Sequence, residues 1–200
     1  MNLPNKISIA RICLIPLFVL IFFLNVIPFN YGIAAIIFVI AAGTDFIDGR
    51  IARKRNLVTN LGKFLDPIAD KVLVATAFIL MLAAKEDLFG RLGNLTNAVY
   101  IIVTICVCII LARELIISAF RQIAAANGII MAAEKLGKYK TAAQDACLFI
   151  ILLSGSIAGA AGGVILWIGL GFFALASVLT IVSGMSYVLK NKQVLKDTEK

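Results

Sequence analysis

Residues 32–53 read GIAAIIFVIAAGTDFIDGRIAR. Uncharged residues fill 32–44, and then Asp45, Asp48, Arg50 and Arg53 arrive within nine positions. An apolar run of about 20 residues is what a helix needs to cross a bilayer's hydrocarbon core. The stretch over 32–52 therefore reads as a membrane span whose last turns carry carboxylates. The segment over 50–63 is polar and cationic, and a second apolar run over 66–84 opens with Asp66 and Asp70. Pro67 suits the first turn of a helix, which places the second acidic pair near the start of that span. The two runs read as an antiparallel helix pair with a short connection and four aspartates at one membrane edge.

The rest of the chain extends this pattern. Of its 200 residues, 62% are hydrophobic, where soluble proteins average roughly 45–50%. The mean hydropathy is +1.02. Apolar runs over 9–29, 97–120, 139–158 and 163–189 add four spans to the two above. The expectation is an all-α integral membrane protein with six transmembrane helices, preceded by a short N-terminal interfacial helix over 1–8. Pro4 fits the start of that segment, and the apolar run after Arg11 is too long for a cleaved signal peptide. A turn is expected near Pro28-Phe29-Asn30, and a glycine-rich turn from Gly155 to Gly163 joins the last two spans.

Lysine and arginine orient the bundle. With six spans and both ends on one side, all but Lys85 and Arg91 of the 19 basic residues fall on that side. Positive residues collect in the cytoplasm, so both termini are expected there, in a multi-pass protein of the plasma membrane. Residues 1–190 read as one membrane domain and 191–200 as a charged cytoplasmic tail. The net charge of +8 has two readings, attraction to anionic membrane lipid and a pocket for an anionic substrate. Nucleic acid is not an expected partner, because the basic residues flank membrane spans.

Residue types narrow the chemistry. The chain has no histidine, which excludes Ser-His-Asp and Cys-His catalysis. Cys13, Cys106, Cys108 and Cys147 form no CxxC pair and read as small apolar packers. Any bound metal must be held by oxygen. Asp45 and Asp48 are three residues apart and Asp66 and Asp70 four, so each pair shares a helix face. Carboxylates at a membrane edge repel when bare, and a lattice of salt bridges to neighbouring bases is one way to hold them. Carboxylate sets without histidine or thiolate also suit magnesium or manganese, and two such ions can clamp a pyrophosphate. Gly49 and Gly62 allow close backbone approach to a ligand, or close helix packing. Arg53 can pair with a phosphate oxygen, or snorkel to the headgroups.

The pattern D-x2-D-G-x2-A-R-x8-G-x3-D-x3-D, carried by Asp45, Asp48, Gly49, Ala52, Arg53, Gly62, Asp66 and Asp70, resembles the signature of the CDP-alcohol phosphotransferases. The resemblance has eight fixed positions and covers nearly the whole chain. It implies that the four aspartates bind two divalent ions, magnesium or manganese, and that Asp70 doubles as general base. It also implies that Gly49, Ala52, Arg53 and Gly62 line the CDP-lipid site. Members transfer a phosphatidyl-type group from a CDP-lipid to an alcohol, release CMP, and are commonly homodimers.

A second cationic cluster bears on the acceptor. Arg113 and Glu114 interrupt the fourth apolar run, followed by Ser118 and Arg121, and then by Lys138, Lys140 and Thr141 at the fifth. A buried arginine needs a partner; Glu114, adjacent in sequence, is expected to point elsewhere. Two arginines and two lysines near one cavity suit an acceptor with its own phosphate, although Lys138 and Lys140 also fit as flanking charges. The segments Asn2–Ser8 with Arg11, Asn56–Asn60, Gly62–Pro67, Arg113-Glu114 and Gly137–Thr141 are similar to members that use CDP-diacylglycerol and sn-glycerol 3-phosphate. Ser8 stands where many of those have threonine. That resemblance assigns the acceptor phosphate to Arg113, Arg121, Lys138, Lys140, Ser118 and Thr141. Other acceptors in the family are inositol phosphate, serine and phosphatidylglycerol. A cation transporter, the reading from another class, would place its acids near the midplane at broken helices of repeated halves, and no repeat is visible here.

Overall fold

The computed structural model describes the backbone of residues 3–55, 60–126 and 135–190, and the side chains of 8–44, 68–124, 136–187, 189 and 190. The described residues contain helices and no strand. Six long helices are α1 (Leu3–Phe23), α2 (Asn30–Arg55), α3 (Asn60–Ala83), α5 (Thr96–Ala126), α6 (Lys135–Gly155) and α7 (Gly159–Lys190). Between α3 and α5 lie a short helix α4 (Lys85–Phe89) and a 3-10 segment (Gly90–Leu95).

The helices follow the apolar runs with three differences. First, α1 starts at Leu3 and runs unbroken to Phe23, so the expected interfacial helix and first span are one element. Pro4 fits a helix's first turn, and Ser8 and Arg11 are fully buried. Packing thus carries the helix through a polar stretch that would otherwise leave the bundle. Second, α3 begins at Asn60, roughly two turns before the expected start, and Pro67 lies inside it. Asparagine is favoured at helix starts, and little in 61–66 besides Gly62 opposes helix. Third, residues 85–95, which lie between two apolar runs, coil into α4 and the 3-10 segment.

The turn from α1 to α2 closes through Asn30, whose side-chain amide donates to the Phe22 carbonyl at 2.8 Å. α2 packs against α1 on one side and α6 on the other, α3 packs against α1, and α6 and α7 run along each other. A Cβ on Gly169 would collide with Ile151, so the missing side chain lets α7 lie close to the α6 backbone, a common device of membrane helices.

The core joins Phe18, Phe22, Phe38, Phe78, Met81, Leu148 and Ile151. On α5 the buried residues are Val103, Val107, Ile110, Ile117 and Phe120, at helical spacing. The opposite face exposes Ile101, Ile102, Ile105, Ile109, Leu115 and Ile116, and α7 exposes Val164, Trp167, Leu175 and Val178. Such a surface suits lipid rather than water. Two stretches, Lys85–Ala124 and Gly159–Tyr187, are long and apolar enough to cross a membrane by length and composition.

At the end of α3 remote from Asp70, α4 and the 3-10 segment lie across the bundle. Tyr31 Oη donates to Asp87 Oδ2 at 2.6 Å. Arg91 donates to the carbonyls of Ser154 at 2.6 Å, Gly155 at 3.2 Å, and Ile157. Those carbonyls belong to the last turn of α6 and the bend after it, where helices leave acceptors unused.

Candidate active site

Asp45 and Asp48 fall on the second half of α2, and Asp66 and Asp70 on the first half of α3. The two helices pack against each other, and α3 follows α2 after the short connection 56–59. The side chains of Asp45, Asp48, Gly49, Ala52, Arg53, Gly62 and Asp66 lie outside the described residues. Asp70 is described and is partly buried.

Arg11 supports this region from α1. Its side chain is fully buried, and its Nε donates to Thr44 Oγ1 at 3.0 Å. The Thr44 hydroxyl in turn donates to the Ala41 carbonyl at 2.6 Å. Thr44 immediately precedes Asp45, so Arg11 ties α1 to the turn of α2 that leads into the first acidic pair.

The second cluster forms where α5, α6 and α7 meet. Glu114 Oε1 accepts from Arg113 Nη1 at 3.1 Å and also from Lys140 Nζ. The expectation that Glu114 points away from Arg113 is therefore corrected: both side chains are long enough to turn toward each other around the helix. Arg113 Nη2 donates to Ser183 Oγ on α7 at 2.9 Å. The same guanidinium lies over Gly184, where a Cβ would meet Arg113 Nε at 3.1 Å. Lys140 is buried, with 4% of its surface exposed.

The remaining predicted acceptor residues are placed differently. Arg121 Nε donates to Tyr187 Oη at 3.0 Å, and its guanidinium carbon lies 5.1 Å from the centre of that ring. Phe120 packs edge-on to the same tyrosine. Lys138 is exposed. Thr141 donates its hydroxyl to its own helix at Gly137 O, 3.2 Å away, and Ser118 is partly buried. Gln144 and Thr180 tie α6 to α7 by a buried hydrogen bond of 3.4 Å.

Lys71 connects the two clusters. Asp70, Glu114, Arg121 and Lys140 all lie close enough to act on its charge. Lys140 likewise feels Glu114, Arg113 and Asp70. Asp70 and the cationic group thus form one electrostatic neighbourhood. In the sequence Lys71 is only one of the bases on the cytoplasmic side; its place directly after Asp70 is the available signal. Ser183, Gly184 and Tyr187 carry none, since their partners stand 66 to 71 residues away on α5.

The donor chemistry fits a hard divalent cation. The chain has no histidine, and all four cysteines are free thiols with Cys147 buried. The backbone places two acidic pairs on adjoining helices, which is the oxygen-only set magnesium and manganese prefer.

Comparison with known proteins agrees with this arrangement. The family model described as CDP-alcohol phosphatidyltransferase matches residues 1–189. The chain belongs to that family and is a membrane-associated transferase. It is 38% identical to a CDP-diacylglycerol–glycerol-3-phosphate 3-phosphatidyltransferase from Bacillus subtilis, over 98% of this chain and 97% of the relative. Relatives with the same description come from Rickettsia typhi, at 39% identity over 93% of this chain and 94% of the relative, and from Shigella flexneri serotype 5b, at 37% over 98% of both.

Proposed function

We propose that this protein transfers the phosphatidyl group of CDP-diacylglycerol to sn-glycerol 3-phosphate, yielding phosphatidylglycerophosphate and CMP for anionic phospholipid synthesis. One observation carries the reading: Arg113 and Lys140 converge on Glu114, with Lys140 and Lys71 both within electrostatic reach of Asp70. An acceptor with its own phosphate needs cations beside the general base; an uncharged alcohol does not. Relatives described as using glycerol 3-phosphate at 37–39% identity over nearly the whole chain support the same acceptor.

The working enzyme is multi-pass, with six spans, both termini in the cytoplasm and its site at the cytoplasmic edge of the plasma membrane. It acts as a homodimer. Asp45, Asp48, Asp66 and Asp70 hold two magnesium or manganese ions, which neutralise charge on the donor's pyrophosphate when bound. Gly49, Ala52, Arg53 and Gly62 line the CDP site. Arg113, Lys140 and Arg121, with Lys138, Ser118 and Thr141 at the margin, receive the acceptor's phosphate and orient its C1 hydroxyl. Asp70 takes the proton of that hydroxyl. The oxygen bonds to the phosphorus that carries diacylglycerol, the pyrophosphate bond breaks, and CMP leaves with the electron pair.

The test is CMP release by the purified protein with CDP-diacylglycerol and magnesium, each acceptor offered separately. Release with glycerol 3-phosphate is expected. Release with inositol phosphate or serine, and none with glycerol 3-phosphate, overturns the acceptor.

A further inference from the structure

Glu114 is a carboxylate for which the reaction above has no use. It faces a site built for anions, where an extra negative charge weakens phosphate binding. One of its oxygens nevertheless receives both Arg113 and Lys140. Simple neutralisation of buried charge does not account for the arrangement. Two cations share one carboxylate, so the trio keeps a net positive charge, and its Lys140 lies within electrostatic reach of Lys71 and Asp70. What the trio gains is fixed geometry. A lysine stem has several rotatable bonds and a compact ammonium head, and Glu114 holds that head against α5. Arg113 is held from the other side by Ser183 at 2.9 Å and by the surface of Gly184.

We propose that Glu114 is a positioning residue for the acceptor's phosphate, pinning Lys140 and Arg113 at a set distance from Asp70. The proposal rests on the acceptor reading above and adds a specificity element to it. The pinned pair favours a phosphate monoester placed so that its hydroxyl reaches Asp70, and it does not touch the CDP-lipid.

The experiment compares wild type with Glu114→Gln, Glu114→Asp, Lys140→Met and the double variant Glu114→Gln/Lys140→Met in detergent. Both substrates are varied, and thermal stability is measured in parallel. Glu114→Gln is expected to raise the KM for glycerol 3-phosphate about tenfold, equivalent to about 1.4 kcal/mol, with the KM for CDP-diacylglycerol within about twofold of wild type. Glu114→Asp recovers part of the loss. The double variant loses less than the sum of the two single losses, because Glu114 acts in part through Lys140. Proportional rises in both KM values, a fall in stability with unchanged acceptor KM, or additive single effects each overturn the proposal. Should Glu114→Gln fail to fold, Glu114→Asp decides: an unchanged acceptor KM refutes the role. A wild-type enzyme inactive with glycerol 3-phosphate but active with another phosphorylated alcohol refutes the acceptor alone, and Glu114 is then judged on that alcohol's KM.

Discussion

Arg113 donates to Ser183 at 2.9 Å, joining the charged turn of α5 to α7 across 70 residues of sequence. The guanidinium packs closely over position 184, where a Cβ would stand 3.1 Å from Arg113 Nε. The proposed acceptor side is thus shaped by a helix that carries none of the signature residues. Gly184→Val should displace Arg113 and raise the acceptor KM, whereas Gly184→Ala asks for a shift of a few tenths of an ångström and should be milder. Steady-state kinetics on both variants check the order; equal effects would mean that Arg113 is not held by this contact.

Asp70 lies within electrostatic reach of both Lys71 and Lys140. Asp70→Asn keeps the size and loses the base. Turnover should fall by about a hundredfold or more, as expected when a general base is removed, while CDP-lipid binding persists. Equilibrium binding of a labelled CDP-lipid beside a CMP-release assay separates the two. Near-normal turnover in the purified variant would exclude Asp70 as the base.

A chain that offers carboxylates and no histidine to a metal should lose activity to a chelator and regain it with magnesium or manganese. Metal-free protein should also regain thermal stability on adding either ion, because a ligand that binds only the folded state stabilises it. Unchanged activity after exhaustive chelation would remove the metals from the account.

Arg91 tests the opposite end of the molecule. It donates to carbonyls at the end of α6, at Ser154 and Gly155 and in the bend at Ile157. Arg91→Ala should cost about 1 kcal/mol, the usual worth of a partly solvated hydrogen bond, and lower Tm by roughly 2–4 °C. Neither KM should move, since the residue lies at the far end of α3 from Asp70. A selective change in acceptor KM would show that the two ends are coupled.

Much of the helix order could be read from the apolar runs, because a spanning helix needs unbroken hydrocarbon of fixed length. The continuity of α1 was not legible, because Ser8 and Arg11 look polar until α2 buries them. The four aspartates stand out by their spacing, since they lie in neighbouring turns of two consecutive helices. The second cluster is only half legible. Arg113 and Lys140 stand out as charges in apolar runs, yet Lys71 is one of many cytoplasmic-side bases until the fold brings it near Glu114 and Lys140. The Glu114 carboxylate was misdirected by a helical-face rule that long side chains escape.

The most direct measurement follows the oxygen. Glycerol 3-phosphate labelled with 18O at its C1 hydroxyl is incubated with the purified enzyme, CDP-diacylglycerol and magnesium, and the products are read by mass spectrometry. The account predicts a lipid with two phosphates that retains the label, together with unlabelled CMP. Labelled CMP, or CMP released with an unphosphorylated alcohol while no such lipid forms, would contradict it.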